Sequence, residues 1–345
     1  MNKTPKIIEK WLMLGAILVL LMIVIGGITR LTESGLSIVH WKPISGIVPP
    51  LNQTEWQTEF EHYQNSPEFQ IKNAHFTLDD FKKIFFWEYL HRFLGRLTGI
   101  IFIIPFLYFS FTRKIKDPNL FKNLLIIFLL GALQGYAGWY MVKSGLVDNP
   151  AVSHYRLAIH LGLALILLSF IVWEILKIRI PIINYVYPKH QKIRNLLRIT
   201  FLLIGTQIIF GAFMSGLKAG FVYPTFPKMG KEWLPESVIN AFKEIGLMSL
   251  VENPISVQFI HRWLGASILL FILWVFIKSR RELISAKQSK SIKMILHTTT
   301  LQFILGVLTI LFSVPIFLGV LHQFVAVLLL MSLVVSYYLF KYKTY

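Results

Sequence analysis

The sequence predicts an all-α polytopic membrane protein, with eight transmembrane helices in two pseudo-symmetric four-helix bundles (a 4+4 internal duplication). Three observations carry this reading. Of 345 residues, 55% are hydrophobic and only 15% are charged, and apolar runs of about 20 residues, the length a bilayer core demands, recur along the chain. Lys and Arg gather in alternate loops. Short motifs return in the same order in the second half. The spans are helical because lipid leaves every backbone polar group to be paired internally.

In order, the spans cover roughly 11–28, 86–111, 120–141, 155–177, 197–217, 255–277, 294–313 and 316–340. The first ends in "GGITR" and not in a small-residue cleavage site, so it is a retained helix. A long external loop over 29–85, rich in aromatics and Pro, follows it. Within that loop, Glu55 to Tyr63 has helical spacing suited to lying on the membrane surface. The next basic clusters are Arg113, Lys114, Lys116 and Lys122, then Lys177, Arg179, Lys189, Lys192 and Arg194, then Lys278, Arg280, Arg281, Lys287, Lys290 and Lys293. They alternate with a short external loop, a longer one over 217–254 holding "GLKAGFVYPTFPKMGKEWLP", and another short one. This positive-inside pattern places both termini in the cytoplasm. The formal charge of +18 then reflects topology and anionic lipid, and nucleic acid is not an expected partner. The short basic N-terminus has no transit-peptide character, which favours a bacterial inner (cell) membrane. No cysteine is present, which excludes disulfides, thiolate metal sites and cysteine nucleophiles.

The duplication sets the domain organisation. "GGITRLTESG" (26–35) aligns with "GAFMSGLKAG" (211–220), and "EYLHRFLG" with "QFIHRWLG". Gln-x-x-x-Gly occurs at Gln134/Gly138, Gln207/Gly211 and Gln302/Gly306. The halves are 1–180 and 181–345, sharing one topology about an axis along the membrane normal.

Ten histidines are present. His40, His62 and His75 fall in the first loop, His190 in a basic loop, His297 near a cytoplasmic helix end, and His154 just outside the fourth span. His91, His160, His261 and His322 lie one in each even-numbered span, about five to seven residues in, at one depth near the outer face. An ionisable residue inside the membrane calls for a function. Facing histidines on two bundle helices supply two axial ligands to a heme iron, giving pairs His91 with His160 and His261 with His322. Heme propionates need cationic partners, for which Arg92, Arg156, Arg262 and Arg30 are placed. Glu88 stands one turn before His91 and Gln258 at the same place before His261. One half thus has a titratable group beside its heme, which suits chemistry, while the other suits electron transfer. The plainer readings are packing for the histidines and glycines, snorkelling for the arginines, and an ion pair of Glu88 with Arg92 or Arg96. At this level two other classes fit: a di-heme b-type, quinol-linked electron-transfer cytochrome, and a transporter without heme.

The stretches "GGITRLTESGLSIVHWKPISGIVPPL", "EYLHRFLGR", "RLAIHLGLAL", "GAFMSGLKAGFVYPTFPKM", "QFIHRWLG" and "LHQFVAV" span nearly the whole chain. Together they resemble the heme A synthase family, in its cysteine-free branch of mitochondrial and proteobacterial type. The resemblance implies an oxidoreductase that converts the C8 methyl of heme O to a formyl, giving heme A for cytochrome oxidase assembly. It implies Glu88 as the catalytic residue and His91, His160, Arg92 and Arg156 around the substrate heme O. It further implies His261 and His322 as axial ligands of a heme b cofactor, with Arg262 at a propionate. The partners it points to are heme O synthase, terminal oxidase assembly factors, an electron acceptor of open identity and the bilayer. A homo-oligomer is compatible with it.

Overall fold

An apolar run in lipid gains its backbone hydrogen bonds only by closing into a helix. The computed structural model describes residues 5–40, 45–147, 150–180, 182–184 and 190–344. Trp41 to Ile44 of the first matching stretch and Lys189 of the basic loop lie outside them. The helices, in order, are α1 (Lys6–Leu31), α2 (Gln53–Gln64), α3 (Leu78–Phe111), α4 (Pro118–Lys143), α5 (His154–Arg179), α6 (Gln191–Gly216), α7 (Glu236–Ile245), α8 (Ser249–Glu252), α9 (Pro254–Ser279), α10 (Ala286–Leu311) and α11 (Ile316–Lys341). Eight of these are long and apolar enough to cross a membrane: α1, α3, α4, α5, α6, α9, α10 and α11. A helix of 26 residues rises about 39 Å, more than the hydrocarbon core needs. The outward faces carry exposed Leu202, Leu270 and Phe317, a surface suited to lipid tails.

Local chemistry sets the ends. Thr77 accepts from the Asp80 N–H while the Asp80 carboxylate accepts from the Thr77 N–H, a capping box worth on the order of 1 kcal/mol. It starts α3 at Leu78, about two turns before the span expected from hydropathy. Asn253 caps α9 and Pro254 opens it, and Ser285 with Gln288 boxes the start of α10. His154, expected outside its span, is the first residue of α5 and is buried. The Glu55–Tyr63 segment is helical as expected, within α2. Its apolar residues turn onto the protein, however: Phe60 and Tyr63 bury against Phe81 and Phe85 of α3. Two small departures from an all-α chain occur among the described residues: an antiparallel pairing of β1 (Ile182–Asn184) with β2 (Lys343–Thr344) and an isolated bridge between Met229 and Glu232. The buried carboxylate of Glu174 is paired inside the bundle, accepting from Asn123 at 3.0 Å and Lys177 at 2.8 Å.

The two halves pack as a pseudo-twofold pair. α1 packs on α5 as α6 packs on α11, and α5 packs on α6 as α11 packs on α1. In the repeat register Arg30 corresponds to Ser215 and Glu33 to Lys218. These matched positions meet each other: Arg30 donates to the carbonyls of Ser215 at 2.8 Å and Gly216 at 3.2 Å, and Glu33 pairs with Lys218. Equivalent residues touch only close to a symmetry axis, so the axis passes between the C-terminal ends of α1 and α6. Burial pushes the Glu33 carboxyl up, but the hydrogen bond and charge of Lys218 hold it below its ordinary value.

Candidate functional site

A continuous cavity of about 1100 Å³ runs through both halves, and His91, His160, His261 and His322 all line it. Each histidine approaches a glycine on a neighbouring helix. A Cβ built at Gly26 would lie 3.2 Å from His91, at Gly138 2.9 Å from His160, at Gly211 3.4 Å from His261, and at Gly306 2.9 Å from His322. These glycines therefore leave room for imidazoles, a role beyond the helix packing that the sequence suggests for them. The Gln-x-x-x-Gly repeats gain a reason too. The backbones of Gln134, Gln207 and Gln302 lie beside His160, His261 and His322, so the missing side chain lets each ring reach the helix backbone one turn away. The Nδ1 atoms of these three rings make no hydrogen bond of standard geometry.

The pairing fits a heme. The His261 and His322 ring centres are 6.5 Å apart. A metal–imidazole bond is about 2 Å, so two rings trans on one metal place their centres about 6 Å apart. His91 and His160 line the N-terminal lobe together and lie within electrostatic reach of each other. Among the described residues no group of three or more His, Cys, Asp or Glu could hold a bare metal ion. A pair of neutral imidazoles in an apolar slot instead suits a metal whose equatorial ligands come from a macrocycle.

Beyond the histidines, the His-Arg motifs tie down the loops that follow α1 and α6. Glu88 is 3% exposed and lines the cavity. Its Oε1 accepts from Arg92 at 2.7 Å, and its Oε2 accepts from the Ser37 hydroxyl at 2.7 Å and the Ile38 N–H at 2.8 Å. Arg92 also donates to the Ile38 carbonyl at 2.9 Å. The ion pair weighed for Glu88 is therefore present, and the carboxylate still borders the cavity. In the second half Gln258 donates to the Tyr223 carbonyl at 3.2 Å and Arg262 to the Thr225 carbonyl at 2.6 Å. Arg92, Arg262 and Arg30 line the cavity. Arg156 does not. It donates to the Tyr140 carbonyl at 2.8 Å, lies 3.7 Å over the Tyr140 ring and lines a separate shallow pocket.

Gln207, Gln302 and Glu68 have surroundings in the cavity that the sequence did not reveal. Gln207 and Gln302 set their amide nitrogens 3.4 Å and 3.2 Å from Nε2 of His261 and His322. The sequence showed their repeat but not this contact. Glu68, from the first loop, is 3% exposed and lines the cavity, with a 3.2 Å hydrogen bond from the Tyr63 hydroxyl. Burial pushes its carboxyl up to about 7, Tyr63 opposes that, and nearby Glu88 adds to it. Nothing in "NSPEF" marks that residue as buried.

The COX15-CtaA family, described as cytochrome oxidase assembly protein, matches residues 9–334. The chain is 40% identical to the heme A synthase of Flavobacterium johnsoniae, covering 96% of this chain and 97% of that protein. It is 41% identical to the heme A synthase of Flavobacterium psychrophilum, over 95% and 96%. It is 39% identical to that of Orientia tsutsugamushi strain Boryong, over 94% of each. The chain belongs to this family.

Proposed function

We propose that this protein is a heme A synthase whose two halves divide the work, the N-terminal half (1–180) holding heme O and the C-terminal half (181–345) holding heme b. It is a multi-pass membrane oxidoreductase that turns the C8 methyl of heme O into a formyl, a four-electron oxidation, to give heme A. His91 and His160 would hold the substrate iron, and His261 and His322 would hold a resident heme b, which when bound would supply a one-electron relay toward an electron acceptor. Arg92, Arg262 and Arg30 face the cavity as propionate partners. Arg156 joins them only by leaving Tyr140. The single observation that carries the division is Glu88: a buried carboxylate borders the cavity in one half, and the neutral Gln258 takes its place in the other.

The role proposed for Glu88 follows from its surroundings. Arg92, Ser37 and the Ile38 N–H hold a carboxylate in one orientation at the cavity rim, a preorganised negative charge. Removing electrons from a methyl group leaves an electron-poor carbon. A fixed carboxylate stabilises that developing charge and takes a proton from the oxygen that adds. The basic loops sit at the end of the bundle that carries the N-terminus, where Arg179 of α5 pairs with Glu9 of α1 at 3.4 Å. This supports cytoplasmic termini in a bacterial cell membrane.

Glu88→Gln tests the reading, because it copies Gln258 and keeps the size of the side chain. The variant is expected to retain heme b and bind heme O, and to form heme A slower by on the order of 10²–10⁴. Heme O or a hydroxymethyl intermediate then accumulates in extracted pigment. Heme A at the wild-type rate would leave Glu88 as a structural partner of Arg92.

A further inference from the structure

The two lobes of the cavity differ in depth. The N-terminal lobe follows α1 down to Trp11, α3 to Ile103 and α4 to Ile127. The C-terminal lobe stops at Ile204 on α6, Ile268 on α9 and Thr299 on α10. Measured along the helices, the first reaches about 22 Å inward from Gly26, and the second about 10 Å from Gly211. In the repeat register Trp11, Ile103 and Ile127 correspond to Leu196, Leu273 and Ile295, none of which borders the cavity.

The extra depth has a cause in the sequence. Gly99, Gly131 and Gly135 line the deep lobe, and a Cβ built on any of them meets nothing within 4 Å. Their counterparts are Leu269, Thr299 and Phe303. Thr299 is 3% exposed, and Phe303 packs edge-on against Phe226 of the third external loop at 6.0 Å. α9 and α10 also pack along each other more extensively than α3 and α4 do. Thr299, Phe303 and a helix contact thus occupy in the second half what stands open in the first, and Leu269 takes the place of Gly99.

We propose that this apolar slot between α1, α3 and α4, below His91 and His160, seats the long isoprenoid chain of heme O. The proposal rests on the reading of the N-terminal half as the substrate site. Heme O and heme b share the macrocycle and propionates, and heme O carries a hydroxyethylfarnesyl chain where heme b has a vinyl group. Both lobes have the two imidazoles and the glycine clearances a macrocycle requires. Only the N-terminal lobe has room for a long chain beyond them. The chain leaves lipid and not water, so burying it brings no hydrophobic gain. Discrimination arises from shape, because the slot admits the chain and Leu269, Thr299 and Phe303 exclude it from the other lobe.

The test uses full-length protein made without heme O, with heme b resident in the C-terminal half. Heme O and heme b are titrated separately and low-spin absorbance reports occupancy of the N-terminal site. The variants are Gly131→Thr with Gly135→Phe, which copies the second half, and the milder Gly131→Ala and Gly99→Leu. Wild type is expected to prefer heme O by roughly tenfold. The double variant should weaken heme O binding at least roughly tenfold and heme b binding at the same site by less than about threefold. The single variants should fall between. Equal weakening of both hemes, or unchanged heme O binding in all variants, overturns the slot. Should the double variant lose its resident heme b, the single variants decide by the same ratio. Heme O binding that survives His160→Ala unchanged overturns the substrate-site reading itself, a different outcome.

Discussion

The N-terminal and C-terminal halves are built on one plan and differ at a few positions facing the cavity. Both present two histidines to a shared cavity, each against a glycine, beside a His-Arg pair that holds a long loop. The first half has Glu88 where the second has Gln258, and Met22 where the second has Gln207. It also has three open glycines where the second has Leu269, Thr299 and Phe303. The second half is thus tighter and has a neutral amide in place of the Glu88 carboxylate, with amides of Gln207 and Gln302 against its histidines. The first is deeper and carries carboxylates. The histidine and glycine framework is common to both halves, while the residues around it differ. Under the proposed division of roles, the tighter site is the one for a heme that stays, and the deeper site with Glu88 is the one for a heme that enters, reacts and leaves.

The sharpest way to break this comparison is to remove one ligand from each half. His261→Ala or His322→Ala should strip the resident heme b, seen as loss of its low-spin absorption in purified protein. His91→Ala or His160→Ala should abolish heme A formation and leave that absorption in place. The reverse pattern would exchange the roles of the halves. A smaller effect is expected from the glycine cradles. Gly306→Ala puts a methyl 2.9 Å from the His322 ring, and the ring must shift. Heme b retention should fall, with a cost of about 1–3 kcal/mol from overpacking. Gly138→Ala crowds His160 equally and should weaken heme O uptake without touching heme b. Equal losses of both hemes in either variant would mean that the two sites are not independent.

The smallest effect concerns the loop over the first half. Glu68 faces Tyr63, Glu33, Lys72, Glu88 and Arg30. Its carboxyl is raised from 4.5 to about 7, chiefly by burial. Between those values the native state holds a proton that the unfolded chain has released, so this group's contribution to stability falls as pH rises through the window. Glu68→Gln should remove that decline and gain thermal stability over wild type as pH rises from about 5 to 8. Parallel melting curves across that range would place Glu68 in a better-hydrated site.

Much of this was legible in the chain. Apolar run length revealed the eight spans, and the matched depth of His91, His160, His261 and His322 marked them as a set. The contrast of Glu88 with Gln258 was visible as soon as the two His-Arg motifs were aligned. Arg156 was less legible. Being one turn from His160 placed it near the cavity, but the Tyr140 ring and carbonyl draw it to the outer surface. Glu68 was not legible at all, because its burial depends on how α2 folds back on α3.

By itself, the sequence determined the properties that repeat with a short period. A bilayer reads hydrophobicity over one helix length, and a helix converts residue spacing directly into depth and face. The number of spans, their alternation and the level of the four histidines follow from that. Only the tertiary structure decided which glycine clears which imidazole, how Arg30 and Glu33 meet their own counterparts across the axis, and how far each lobe of the cavity extends. Those depend on which helices become neighbours, and packing between elements far apart in the chain has no local signature. Glycines in membrane helices look alike in sequence whether a neighbouring helix closes over them or, as with Gly99 of α3 and Gly131 and Gly135 of α4, leaves them facing an open slot.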